Sequence, residues 1–463
     1  MINVIGAGLA GCEAAWQCAE RGLTVTLTEM KPLRRSPAHK SDGFAELVCS
    51  NSLRGDRLEN AAGLLKAELR LRGSLILRCA DKTRVPAGGA LAVDREAFSA
   101  AVTEAVRTHP RITVVCDEMK TLPREGFVIA ATGPLTDGAL AEDLTSLLGT
   151  GTLSFFDASA PLIASDSVDM RFAYESARYG RGGADYINCP MDKETFLAFH
   201  AELRSAREAP VQGFDDSRVF EGCMPVEVMA RRGADTLRFS AMRPIGLRDP
   251  ATGKGAYAVL QLRRDNAAGT VYNMVGFQTH LAFPEQKRVF SMIPALRGAE
   301  FLQYGVMHRN SYVDAPRCLD ETYRVKNHPS IRLAGQITGV EGYIESVASG
   351  FSAGVYAAAE ALGQAVTPFS SETAIGALGA YIANPANGNP FRPTKIHFGL
   401  LPPLPDDQTT RDKQEKYRRI SERALRLLTS NSQHRYHGKF FGNPKEPFSK
   451  RFFGRRRRKE CTF

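Results

Sequence analysis

"MINVIGAGLAGCEAAWQCAERGLTVTLTE", residues 1–29, decides how the rest of the chain is read. Residues 2–6 form a short apolar run that predicts a buried strand, and residues 10–22, rich in alanine, predict a helix. "LTVTLTE", residues 23–29, alternates β-branched side chains and predicts a second strand. Between the first strand and the helix stand Gly6, Ala7, Gly8, Leu9, Ala10 and Gly11, a G-x-G-x-x-G turn in its required setting. Gly6 permits the tight turn, Gly8 lets a pyrophosphate approach the backbone, and Gly11 lets helix and strand pack closely. The helix N-terminus carries partial positive charge toward that anion. Glu29 closes the second strand, where a carboxylate accepts hydrogen bonds from a ribose diol and repels a 2′-phosphate. The expected ligand therefore carries an unphosphorylated ADP half, as FAD and NAD do.

Working outward, two later stretches favour FAD over NAD. "AATG", residues 130–133, carries Thr132 and Gly133 and is similar to a second signature of two-dinucleotide flavoproteins. "LAGQITGVEGY", residues 333–343, carries Gly335, Gln336, Gly342 and Tyr343 and resembles the segment by which that class returns to the flavin ring. Its backbone N–H groups, with Glu341 beside them, are expected at the flavin pyrimidine edge. No second complete G-x-G-x-x-G follows a strand, so no separate nicotinamide domain is expected. Between about residues 155 and 325, proline, aromatic and charged residues mix and short elements alternate. The fold class this predicts is α/β, a Rossmann-type FAD-binding domain of the glutathione-reductase-like kind with an inserted α+β domain. The expected boundaries are 1–160 for the first part of the FAD-binding domain, 161–325 for the insert and 326–430 for the second part. A basic tail follows at 431–463.

The 463 residues are 43% hydrophobic and 24% charged, ordinary for a globular protein with more than one core. No apolar run approaches the roughly 18 residues of a membrane span. The apolar start lacks a basic leader and reads as a folded strand rather than a signal peptide. Nine cysteines lie far apart with no C-x-x-C, which argues against a structural zinc site and a disulfide framework, and predicts a reducing, cytoplasmic setting. The net charge is +10, but nine basic and two acidic residues from Gly438 onward supply most of it. The body is near neutral, so total charge alone does not argue for nucleic-acid binding.

One cysteine stands out. In "AELVCSNSLRGDRLENAAG", residues 45–63, Cys49 follows an apolar pair and precedes Ser50, Asn51, Ser52 and Arg54, a setting for a thiol on a loop. Cys223 in "FEGCMPVE" lies between Glu221 and Glu227. These stretches, with "RVPAGGALAVDREAF", "FEGCMPVEVMARRGADTLRFSAMRPIGL", "GFQTHLAFPEQKRVFSMIPALRGAEFLQYGVMHRNSY" and "LAGQITGVEGYIESVASG", together resemble the folate- and FAD-dependent tRNA uracil-5 methyltransferases. The resemblance runs from residue 1 to about residue 430. It departs at "FRPTKIHFGLLPPL", where Thr394, Lys395 and His397 are not the expected residues.

What this resemblance implies is a one-carbon transfer from methylenetetrahydrofolate, by way of reduced FAD, to C5 of a T-loop uridine in tRNA, with NADH or NADPH as reductant. Uracil C5 becomes nucleophilic only after a thiolate adds to C6, and the C5 proton must later leave to a base. The resemblance implies Cys223 as the C6 nucleophile and Cys49 as base or flavin-side partner; the reverse assignment stays open. Arg54 or Arg231 is expected to favour a thiolate. His280 is expected to stack on the pterin of folate. For tRNA, the candidate contacts are Arg231, Arg232, Arg263, Arg264, Lys287, Arg288 and Arg309, with the target base flipped out. No metal ligand set is expected, and the residues say nothing of protein partners or oligomeric state. Three other readings stay open: a related flavoenzyme acting on a uridine in ribosomal RNA or at the tRNA wobble position, an FAD-dependent small-molecule oxidoreductase, and a non-catalytic flavoprotein that binds RNA.

Overall fold

The structure is a computed structural model that describes residues 1–149, 151, 153–180, 183–210, 224–387, 391–405, 407 and 410–430. Strand β1 (Ile2–Ile5), helix α1 (Leu9–Glu20) and strand β2 (Val25–Glu29) form the expected βαβ unit. β1 lies at the centre of a six-stranded sheet. On one side it pairs with β2, which pairs with Ile112–Cys116; on the other it pairs with Phe127–Ala130, which pairs with His328–Leu333. These five strands are parallel, and Arg324–Val325 adds an antiparallel edge. In chain order along the sheet this is the doubly wound 3-2-1-4-5 arrangement, which opens a ligand crevice at the carboxyl end of β1.

Small residues set how closely helices cover this sheet. α1 packs along the long helix Tyr343–Ala361, and both are buried over most of their length. A Cβ on Gly354 would come within 2.7 Å of the Ala14 carbonyl oxygen, and one on Gly350 would overlap the Ala10 backbone. The glycines in "ESVASGFSAGVYAAAEAL" thus mark a backbone-to-backbone crossing. A charged helix spans Lys413–Ser430, and its Ser421 hydroxyl donates to the Leu58 carbonyl at 2.7 Å.

A second sheet is antiparallel throughout, in the order Tyr174–Ser176, Tyr186–Met191, Ala258–Arg264, Val271–Met274, Leu162–Ala164, Phe301–Gln303. It has its own apolar core around Phe196, Phe199, Phe277 and Phe290, separate from the core of the parallel sheet. The two are joined by an antiparallel ribbon, Leu153–Ala158 with Met307–Tyr312. The chain enters and leaves the insert side by side along that ribbon. The Arg324–Val325 strand belongs to the first sheet, so the insert closes before residue 325. A small three-stranded sheet, Ser52–Gly55, Ala90–Val93 and Arg84–Val85, carries the segment after Cys49.

Candidate active site

At the carboxyl end of β1, Gly6 takes φ 97°, and a Cβ there would stand 2.5 Å from the Ala131 carbonyl oxygen. Gly8 is the N-cap of α1 and offers no capping side chain. A Cβ added at Gly8 would meet no protein atom within 4 Å, so the helix N-terminus is open to a ligand. Glu29 is buried at the end of β2, where its carboxylate accepts the N–H of Ala7 at 2.6 Å and of Lys31 at 3.1 Å. A cavity of about 320 Å³ runs forward from here.

Most of the expected cofactor residues line this one cavity. Gly6, Ala7, Gly8, Leu9, Ala10, Glu29, Thr132, Gly133, Gly335, Gln336 and Tyr343 all line it, and a Cβ on Gly335 would stand 3.2 Å from that of Ala10. Gly11 and Gly342 stand behind it. Gly11 packs against the Gly6 carbonyl, and Gly342, at φ 108°, faces the Glu345 carboxylate. A helix N-terminus, a buried carboxylate at the strand end and a second glycine-rich turn on one cavity fit FAD. The rim holds a residue with no signal in the motif: Arg34 pairs with Glu118 at 2.7 Å and Asp137 at 2.6 Å, all three on the cavity.

Cys49 sits behind the cavity lining, next to Val48 and Tyr343. Val48 lines the cavity, and the Cys49 N–H donates to Tyr343 Oη at 2.7 Å, with the Ser50 N–H at 3.3 Å from the same oxygen. The half-buried thiol faces the Ala158 carbonyl at 3.7 Å. Burial pushes it up to about 12, with Asp157 and Glu341 adding to the rise and Arg95 and Lys395 opposing it. At neutral pH it is a thiol. The expected helpers are engaged elsewhere: Arg54 pairs with Glu345, and Arg231 with Glu208. The cations near Cys49 are Arg95 and Lys395, which sequence distance hid.

Glu341 is buried beside Gln336, which donates to it, and burial with the nearby Asp157 raises it to about 8. The segment from Phe391 backs this turn. The Glu341 N–H donates to the Thr394 carbonyl at 2.8 Å, and the Thr394 N–H to the Gly339 carbonyl at 3.1 Å. These are backbone contacts, so the departure at Thr394 from the expected sequence leaves them in place.

His280 does not present a stacking face. Its ring is 1% exposed, with Nδ1 at 2.7 Å from Glu227 and Nε2 at 3.0 Å from Glu208. Burial alone disfavours its charge, but the hydrogen bonds to the two carboxylates outweigh that and raise it to about 9. An open aromatic face lies three residues on: Phe283, half exposed, stacks on Tyr304 with ring centres 4.9 Å apart, and Tyr304 on Phe301 at 5.5 Å. Cys223 and Glu221 lie outside the described residues, as does the tail from 431. The chain is described again from Met224, and the Val226 N–H donates to the Gln278 carbonyl at 2.8 Å. Of the basic RNA candidates, Arg263 is buried against Asn51, Arg231 is paired with Glu208, and Arg288 with Glu202 and Glu285. Lys287 and Arg309 are exposed. Among the described residues no group of three His, Cys, Asp or Glu side chains could hold a metal ion.

The doubly wound sheet, the cavity at its switch point and the buried Glu29 define a dinucleotide-binding flavoprotein. Its fold is that of GidA from Aquifex aeolicus in two crystal forms, with TM-scores of 0.65 and 0.63 at 14% and 13% identity, covering 94% of this chain and 74% and 77% of those chains. The profile of the family "Glucose inhibited division protein A" matches residues 1–365. The chain is 56% identical over 427 residues to the methylenetetrahydrofolate--tRNA-(uracil-5-)-methyltransferase TrmFO of Acetivibrio thermocellus, covering 92% of this chain and 97% of that protein. It is 53% identical over 442 residues to the protein of the same name from Moorella thermoacetica, covering 96% and 99%. The chain belongs to the glucose-inhibited division protein A family, and within it to the methylenetetrahydrofolate--tRNA-(uracil-5-)-methyltransferases.

Proposed function

We propose that the protein transfers a one-carbon unit from 5,10-methylenetetrahydrofolate, through reduced FAD, to C5 of a T-loop uridine in tRNA, giving 5-methyluridine with NAD(P)H as reductant. FAD, when bound, supplies the electron and one-carbon carrier chemistry; the chain supplies position, charge and proton transfer. The single observation that carries the reading is the placement of Cys49: its backbone is held by Tyr343, a wall of the dinucleotide cavity. In this reading that thiol works beside the flavin ring, where the pyrimidine is brought in.

In this reading Cys223 adds to C6 of the uracil, and C5 then attacks the electrophilic carbon. The C5 proton passes to a base as the carbon parts from its carrier, and a hydride equivalent originating in NAD(P)H completes the methyl group as the Cys223 sulfur leaves and the ring double bond returns. Cys49 serves as that acid–base partner. Burial holds that thiol protonated, so it must give up its own proton before it takes the one from C5, a loss that Arg95 and Lys395 favour. Glu341, raised to about 8, supplies a second titrating group near Cys49. The stacked Phe283–Tyr304 face offers a flat ring the surface that buried His280 does not. Exposed Lys287 and Arg309 are candidates for phosphate contacts, the main grip on folded RNA. No helix among the described residues is long and apolar enough to cross a membrane, and a cytoplasmic site of action goes with the substrate.

Incubating the full chain with unmodified tRNA, methylenetetrahydrofolate, FAD and NADH tests the reading. Nucleoside mass spectrometry is expected to find 5-methyluridine at one T-loop position. Its absence with FAD-loaded protein would end the proposal. Cys223→Ala should abolish the covalent adduct with 5-fluorouracil-containing RNA, and persistence of the adduct would move the nucleophile to Cys49.

A further inference from the structure

Two arginines cross between the two sheets at the Cys49 loop, in opposite directions. Arg95 opens the helix Arg95–Arg107 on the nucleotide-binding side. Its guanidinium donates to the Leu47 carbonyl, and its Nη2 donates to the Cys49 carbonyl at 3.2 Å. The same group is gripped by Asp265 of the insert, through Nε–Oδ2 at 2.7 Å and Nη2–Oδ1 at 3.0 Å. Arg263, two residues before Asp265, reaches the other way. Its Nη2 donates to Ser50 Oγ at 2.9 Å and to Asn51 Oδ1 at 2.8 Å. Asn51 in turn donates to the carbonyls of Val93 and Arg264.

The loop is thus bracketed at Leu47, Cys49, Ser50 and Asn51, with Asp265 and Arg263 buried. A bidentate arginine–carboxylate pair fixes direction as well as distance. A buried ion pair adds little to stability over apolar packing, so its use here points to geometry. The charged and titratable groups facing the thiol are Asp157 from the ribbon, Glu341 from the turn before the long helix, Tyr343 from its first residue, Lys395 from the segment after Phe391, and Arg95. Of these cations, Arg95 also hydrogen-bonds the Cys49 backbone.

We propose that Arg95, held by Asp265, is the positioning residue for Cys49 and ties the place of its thiol to the docking of the insert. This rests on the reading of Cys49 as a working thiol beside the flavin ring.

The test uses the full-length, FAD-loaded protein and the variants Arg95→Lys, Arg95→Gln and Asp265→Asn. The readouts are FAD content, kcat and KM for tRNA, and the pH profile of Cys49 alkylation by iodoacetamide, followed on the Cys49 peptide. Arg95→Lys keeps the charge and loses the fork, so kcat is expected to fall about tenfold or more with KM for tRNA little changed. Arg95→Gln also removes a cation, so the alkylation profile should move to higher pH. Asp265→Asn keeps the cation but frees it from its clamp, so it should lower kcat in the same way but less, and add little on top of Arg95→Gln. Wild-type kcat and an unmoved alkylation profile in Arg95→Gln would overturn the proposal. A moved profile with unchanged methylation would instead sink the role of Cys49 and leave the positioning by Arg95 standing. Should Arg95→Gln fail to hold FAD, Asp265→Asn decides: FAD content, kcat and profile all as in the wild type would refute it.

Discussion

Tyr343 Oη accepts the N–H of Cys49 and also approaches that of Ser50, so one phenol orients the whole thiol loop. Tyr343→Phe leaves a poorly solvated N–H without its acceptor, at a cost of about 1–3 kcal/mol. The expected result is a drop of roughly ten- to a hundredfold in kcat, with FAD content retained, measured by single-turnover methylation. Glu29 carries a different load: it takes the Ala7 N–H at the point where the ribose is expected. Glu29→Gln weakens a charge-assisted contact worth about 1.5–3 kcal/mol, so FAD affinity should fall by tenfold or more in fluorescence titration. At this scale the glycine turn and Glu29 were legible because their meaning lies in local spacing. His280 was not. A histidine beside glutamine and threonine gives no sign that Glu208 and Glu227, both distant along the chain, close on its two nitrogens.

α1 and the helix Tyr343–Ala361 meet through backbone, and that contact aims both helix starts at the cavity. Gly350→Ala would drive a methyl into the Ala10 backbone. Overpacking of this kind costs about 1–3 kcal/mol, and here it also displaces the helix N-terminus that faces the pyrophosphate. The variant should show a lower Tm and lose FAD on gel filtration, whereas Gly22→Ala, just past α1 with open space around it, strains its φ of 89° and lowers Tm but should keep its FAD. The strands β1 and β2 and the helix α1 could be read from period and glycine spacing, whereas the parallel strand Ile112–Cys116 was not. The insert's strands could not be ordered that way. Leu162–Ala164 pairs with Val271–Met274 and Phe301–Gln303, more than a hundred residues on, and no local pattern encodes that choice.

Across the molecule, the Glu208–His280–Glu227 cluster predicts how the insert responds to pH. His280 is raised from 6.5 to about 9, so its stabilisation is complete below about pH 6.5 and is lost as pH rises through about 9. His280→Asn should flatten the alkaline decline in thermal stability between pH 7 and 10, by on the order of 1–3 kcal/mol, in unfolding scans against pH. Glu341, raised to about 8, contributes in the unfavourable sense, its cost growing as pH rises from 4.5 through 8, but it is common to both proteins and cancels in the comparison. Removing residues 431–463 takes away most of the net positive charge. The slope of log tRNA affinity against log salt should become shallower, while FAD binding stays as it was. The chain by itself determined the dinucleotide unit, the class of cofactor and a thiol set on a loop, because strand, turn and helix are written in periods and glycines that act within a few residues. Only the tertiary structure decided which groups hold that thiol: Arg95, Arg263, Asp265 and Tyr343 converge on the loop from three separated stretches of chain. Burial and charge act through space, over a few ångströms, and separation along the chain carries no record of that.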